Sequence, residues 1–209
     1  MANITALLYF ASTMDKILLR WRATHVIKEV ELTKYNKQLN MDIRINIRNA
    51  GIVLLNSYIP ILFNRLNLTS TNQFIMESAQ LEAVHYLQYL VTGQTQTEES
   101  LLPLNKVLCG LHPSIRVKSG IAISHESENL MNGLIAAVIS HWRAIGESST
   151  DGFRGNWLER DGLLIEQEDR WELNIEKRPY DILINQSPFS FSIIKHPWMV
   201  KSINVNWSY

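Results

Sequence analysis

Ile4, Leu7, Leu8, Ala11, Met14, Leu18 and Trp21 recur at intervals of three and four. That spacing places them on one face of an amphipathic helix, and the pattern continues to about Lys37. At about 1.5 Å per residue such a helix is roughly 50 Å long. The period drops to two in Asp42-Ile-Arg-Ile-Asn-Ile-Arg48, which predicts a short strand or extended link with one apolar face. Ala50 to Leu55 then runs into the core. Asn56 and Ser57 are placed to cap a helix carrying Ile59, Leu62, Phe63 and Leu66, with Pro60 tolerated in its first turn. Ile75, Met76, Ala79, Ala83, Tyr86, Leu87 and Leu90 predict a further helix closed by Gly93.

Residues 94–99 read as a polar loop, Leu101 to Leu108 as a short helix closed by Gly110, and residues 112–120 as irregular chain. Ser124 caps the next helix, with Glu126 and Glu128 near its positive end. Its apolar stripe is Leu130, Met131, Leu134, Ile135, Val138, Ile139, Trp142 and Ile145, and Gly146 ends it. In the polar turn that follows, Ser148, Ser149 or Thr150 starts a short helix with Phe153 and Leu158. Past Gly162 the period is two again. Leu163–Ile165 and Trp171–Ile175 flank Gln-Glu-Asp as a hairpin, and Tyr180–Ile184 suits a short helix. Residues 189–194 and 203–207 alternate once more.

Helices first and strands last give an α+β fold, mainly helical in its N-terminal and central part, with a small antiparallel β region at the C-terminus. The division expected is a helical extension over residues 1–40 and a globular domain over 41–209. Within that domain, 41–160 is mainly helical and 161–209 β-rich.

Hydrophobic residues at 46% against 19% charged leave ample material for a core. Twenty basic and twenty acidic residues cancel, so the electrostatic footprint of a nucleic-acid or anionic-membrane binder is absent. The charge is uneven: the first 49 residues carry eight basic and four acidic side chains, and solvated helix faces account for that excess. No apolar run approaches the roughly 20 residues of a membrane span. The start has neither the basic region nor the cleavage site of a signal peptide, so synthesis is expected in the cytoplasm and the Asn-X-Ser/Thr sequons, such as Asn67-Leu-Thr69, are discounted.

Candidate chemistry is sparse. The six histidines (25, 85, 112, 125, 141, 196) include no pair at the i, i+4 spacing of a helical zinc face, and Cys109 has no second cysteine beside it. Val-Leu-Cys109-Gly-Leu is too apolar a setting for a nucleophile. The Gly146–Gly152 turn lacks the elbow that exposes a catalytic serine, so its hydroxyls are expected to cap a helix. Glu166, Glu168, Asp169, Glu172 and Glu176 fit a solvated strand face and turn. There is no phosphate-binding glycine loop. No catalytic residue, metal ligand or cofactor is expected. Five of the six tryptophans lie from Trp142 onward, where they serve to fill the core. Among these, Lys195-His-Pro-Trp-Met199 is the segment most suited to an interface, because Pro197 breaks the strand and can present Trp198 and Met199.

Several ordered segments together resemble the C-terminal region of the tape-measure proteins of contractile injection systems. They are Asn49–Asn56, the helix with Pro60, Phe63 and Leu66, Ala83–Gly93, Leu104–Gly110, Ile139–Trp142, Leu158–Gly162 and Ile194–Met199. Thr24–Leu32 matches the family's N-terminal motif more weakly. The resemblance implies a core signature of Leu104, Asn105, Cys109, Gly110, His141, Trp142, Arg160 and Gly162. It implies a structural, non-enzymatic role in a phage-tail-like particle, with tube, hub, spike or baseplate proteins as partners. A homo-oligomer matching hub or tube symmetry would suit that setting, and the protein would be incorporated into the particle after cytoplasmic synthesis. Trp21, His196, Pro197, Trp198 and Met199 are the interface candidates. Typical members carry a long stretch between their ends. Here even an all-helical chain would reach only about 310 Å, and the part outside the globular domain about 50–60 Å. A compact protein docking at the tube end, hub or baseplate is therefore expected, rather than a literal ruler. The alternatives are a transient chaperone or cargo adaptor of the same system and, more distantly, a cytosolic hydrolase using Cys109 or Ser149.

Overall fold

The structure, a computed structural model, describes residues 43–207. The helix expected over residues 4–37, with Trp21, lies outside them. Strand β1 (Arg44–Ile47) is followed by an unusually long 3-10 helix, Ala50–Tyr58, which passes directly into α1 (Ile59–Arg65). Asn56 and Ser57 therefore do not cap a helix: they lie inside one continuous helical path, and Pro60 begins its α-helical part. Ala50 through Leu55 are all buried, so this segment is apolar all round rather than amphipathic. Gly51 is what lets it lie so deep. A Cβ there would sit 1.7 Å from the Trp157 carbonyl oxygen, a distance no side chain tolerates.

A two-residue hairpin follows, β2 (Thr69–Ser70) with β3 (Gln73–Phe74). Its turn holds Thr71 and Asn72 at φ of 49° and 63°, the left-handed pair that matches strand twist. Helix α2 (Glu77–Thr92) starts only after Ile75 and Met76, so these first two members of the predicted stripe lie outside the helix and are exposed. Helix α3 (Pro103–Leu108) is buried throughout. Helix α4 (His125–His141) begins at Ser124, whose hydroxyl accepts from the Ser127 amide. It stops four residues earlier than the apolar stripe predicts. Trp142 leaves helical geometry to drop into the core, and Arg143–Ile145 form a separate 3-10 turn before Gly146. Helix α5 (Thr150–Phe153) runs into a π-helical turn, Arg154–Leu158.

With β4 at Gly162–Glu166, β5 at Arg170–Ile175, β6 at Ile193–Ile194 and β7 at Ser202–Asn206, the main sheet has the order β1-β4-β5-β7-β6. Strands β4 (Gly162–Glu166) and β5 (Arg170–Ile175) form the predicted hairpin. In β5, Trp171, Leu173 and Ile175 are buried, alternating with half-exposed Arg170, Glu172 and Asn174. The carboxylate run therefore lies on the strand's outer face and the turn. Strand β1 pairs antiparallel with β4, so the N-terminal edge of the described chain completes the C-terminal sheet.

One feature departs from an all-antiparallel sheet: β7 (Ser202–Asn206) runs parallel to β5. Residues 176–201 make the long crossover that a parallel pair requires, through a 3-10 helix at Pro179–Gln186 and the short β6 (Ile193–Ile194). The fold is α+β with a mixed sheet.

Aromatic rings join the helical layer to the crossover. Trp142 lies 4.5 Å from Trp157 and 6.0 Å edge-on from Phe189, and Trp157 meets Tyr180 at 5.2 Å. Burying one such ring contributes on the order of 4–6 kcal/mol of transfer free energy.

Candidate functional site

Trp198 is drawn into the fold from the Lys195–Val200 turn. Its ring meets Phe63 at 5.6 Å and Phe74 at 5.2 Å, and its indole N–H donates to the Leu108 carbonyl at 2.9 Å. His196 stacks on it at 5.0 Å, and Met199 turns its sulfur toward the His196 amide. The expectation that Pro197 presents Trp198 and Met199 outward is thus corrected. His196, Trp198 and Met199 are all buried, because the turn folds its large side chains back onto the core. Gly110 makes room for this packing. It stands at φ 77°, and a Cβ on it would lie 2.4 Å from the Trp198 carbonyl oxygen. The side chains left outside include Lys195, Pro197, Ile193 at 68% exposure and Val200 at 86%. Gln73 reaches the Pro197 carbonyl at 3.5 Å, so the β2–β3 hairpin borders this corner. Burial alone pushes the His196 pKa down to about 4, which keeps the ring neutral at pH 7.

Of the expected core signature, Leu104, Asn105, Cys109, Trp142 and Arg160 are completely buried, while Gly110 and Gly162 are partly covered. His141 is exposed instead. As the last residue of α4 it points to the surface, with Tyr58 Oη 3.4 Å from its Nδ1 and Phe189 edge-on at 5.8 Å.

Among the described residues, Arg160 and Asp181 form the most buried ion pair. The guanidinium donates to both carboxylate oxygens, at 2.6 and 3.2 Å, and also to the Asn156 carbonyl. Three rings surround it: Trp157, Tyr180 and Trp207, with centroids 5.0–5.5 Å from its Cζ. Asp181 further accepts from the Arg178 amide at 2.9 Å and from Trp207 Nε1 at 3.0 Å. Burial raises its pKa, but these donors outweigh burial and hold it below the usual carboxylate range. The pair ties the π-helical turn, the crossover and the chain after β7 into one knot.

Sequence reasoning missed Asp181. The signal was Arg178-Pro-Tyr-Asp181, a proline at the first helical position with a carboxylate three residues past the cap. A second buried polar cluster was equally invisible. Asn105 Nδ2 donates to Gln88 Oε1 at 3.0 Å and to the Val84 carbonyl, and Asn49 Nδ2 donates to Asn105 Oδ1 at 2.8 Å. Lys106, 1% exposed, snorkels to Glu99 at 2.8 Å and the Pro113 carbonyl at 3.0 Å.

The candidate nucleophiles have other roles. Cys109 is fully buried, and desolvation pushes its thiol pKa well up, opposite to what a reactive thiolate needs. Ser149 caps α5, its hydroxyl accepting from the Gly152 amide at 3.0 Å. Among the described residues no three His, Cys, Asp or Glu side chains converge as a metal ion would require. Nor is any described helix long and apolar enough to cross a membrane.

The buried segments that carry this packing are those through which the sequence resembles tape-measure proteins. Comparison with curated proteins and with solved structures found no match. A family model described as contractile injection system tape measure protein matches residues 12–207, and the chain belongs to that family.

Proposed function

We propose that this chain is a compact assembly component of a contractile injection particle, docking at one end of the tube, on the hub or on the baseplate. The observation that carries the reading is the family match over residues 12–207, which includes all but the first eleven and last two residues. Residues 43–207 of that span form a folded α+β body rather than a long rod. An anchoring role follows more directly from such a body than a length-measuring one.

The docking surface we assign is the exposed remainder of the 193–200 corner: Ile193, Pro197 and Val200. Within the same corner the buried Trp198 packs against Phe63 and Phe74, and an exposed apolar group on a segment anchored in this way favours a pre-organised interface. The test is a double substitution, Ile193→Asp with Val200→Asp, in a producing cell. Particles should form with this chain absent or greatly reduced, while the purified variant keeps its melting temperature. Wild-type incorporation by the double variant would refute the assignment. A transient chaperone or cargo adaptor of the same system predicts instead that the chain accompanies intermediates and is missing from finished particles.

A further inference from the structure

Between α2 and the irregular chain of residues 116–122 lies a cavity of about 390 Å³. Leu81 and Tyr86 on the helix face Val117 and Ile121 on the opposite wall, which gives it an apolar lining. Arg116 and Lys118 stand on the same wall, and neither takes part in the ion pairs formed among the described residues. Glu99, whose carboxylate feels Arg116, is already bonded to Lys106 at 2.8 Å. Glu82 is the one carboxylate on the lining, so the cations outnumber it.

His85 also lines the cavity. It is 5% exposed, and its Nε2 has no hydrogen-bond partner among the described residues. A buried ring nitrogen left without a partner is costly unless something satisfies it. Burial lowers its pKa, against a smaller opposite effect of its hydrogen bond to the Lys118 carbonyl, so the neutral ring keeps its one N–H on that carbonyl and Nε2 is left as an acceptor.

The wall is pre-formed although it has no helix or strand. Thr97 N–H donates to the Ser119 carbonyl at 2.9 Å and Ile121 N–H to the Thr95 carbonyl at 3.0 Å. Lys106 holds Pro113 from below, and the Val117 amide donates to Glu99 at 3.2 Å. Irregular chain fixed this thoroughly around a cavity of ligand size is the usual setting of a recognition site.

We propose that this cavity captures the C-terminal residue of a partner protein chain, one ending in an apolar side chain. The side chain enters between Leu81, Tyr86, Val117 and Ile121. The terminal carboxylate lies against Arg116 and Lys118, and the backbone N–H of the same residue donates to His85 Nε2. This combination, an apolar slot with two cations that form no ion pair among the described residues, matches a chain end better than an internal segment, which carries no charge there. The site is read from its lining alone, so it stands or falls separately from the docking corner and from particle incorporation.

The full chain is titrated with fluorescently labelled pentapeptides ending in Leu, Val or Phe, each as the free acid and as the C-terminal amide, with binding read by anisotropy. At least one acid should bind saturably, and its amide should bind at least about tenfold more weakly. Arg116→Ala with Lys118→Ala should weaken the acid by at least about tenfold. Both side chains are exposed, so the melting temperature should not change. In NMR spectra the His85 imidazole resonances should shift on binding. Four results would overturn the proposal: equal binding of acid and amide, wild-type affinity in the double variant, no binding by any acid at millimolar concentration, or binding of free 3-phenylpropionate as tight as that of the best peptide.

Discussion

Asp181 receives four hydrogen bonds, two of them from a guanidinium with no access to solvent. Its replacement therefore leaves a charge stranded in the core rather than a lost surface contact. Asp181→Ala should destabilise by about 3–5 kcal/mol in a denaturant titration. The depressed carboxylate pKa fixes the sign of the acid response. Its contribution is complete above the usual carboxylate range and disappears as the pH falls through the lower folded-state value. His196 acts in a different window. Its folded pKa of about 4 lies below the ordinary histidine value of 6.5, so the unfolded chain takes up the proton first and stability falls as the pH drops from 6.5 to 4. That loss amounts to about 2–4 kcal/mol for one such group. His196→Phe keeps a ring against Trp198 and removes both the titration and the unpartnered nitrogen. Its unfolding free energy, measured at several pH values, should fall less steeply over that interval. An identical slope would contradict the burial account.

At the scale of elements, Gly110 and Trp198 form one joint between α3 and the 195–200 turn. Gly110→Ala strains a left-handed backbone and pushes the Trp198 carbonyl away, so it should cost at least about 2 kcal/mol in thermal or denaturant unfolding. Trp198→Ala should cost about 3–5 kcal/mol by removing the ring between Phe63 and Phe74. This joint shows why part of the molecule was legible in sequence and part was not. Periodicity located α2, α4 and the 163–175 hairpin, and cap chemistry placed Ser124 and narrowed the next cap to Ser148, Ser149 or Thr150, because each depends on residues near in sequence. It misjudged the end of α4, since Trp142 is apolar at helical spacing whether it continues the helix or leaves it. It could not assign the direction of β7, which depends on a crossover. Nor could it tell that Trp198 faces inward, since its acceptor, the Leu108 carbonyl, lies far away in sequence. The buried amides of Asn49, Gln88 and Asn105 gave no signal for the same reason.

For the whole molecule, β1 is the lock. It leaves the first described residues and pairs with β4, so the sheet draws on both ends of the described chain. A fragment spanning residues 43–207 should therefore unfold in a single cooperative transition, whereas one beginning at Ala50 should lose the β1 edge and melt at least about 4 °C lower. The central claim is that this chain is a fixed part of the particle, seated at one end. Electron cryo-microscopy of purified particles carrying a density tag on this chain tests it most directly. Tag density confined to one end of the tube, at constant stoichiometry, is the predicted result. Finished particles of normal length that lack the tag, or tag density spread along the whole lumen, would contradict it.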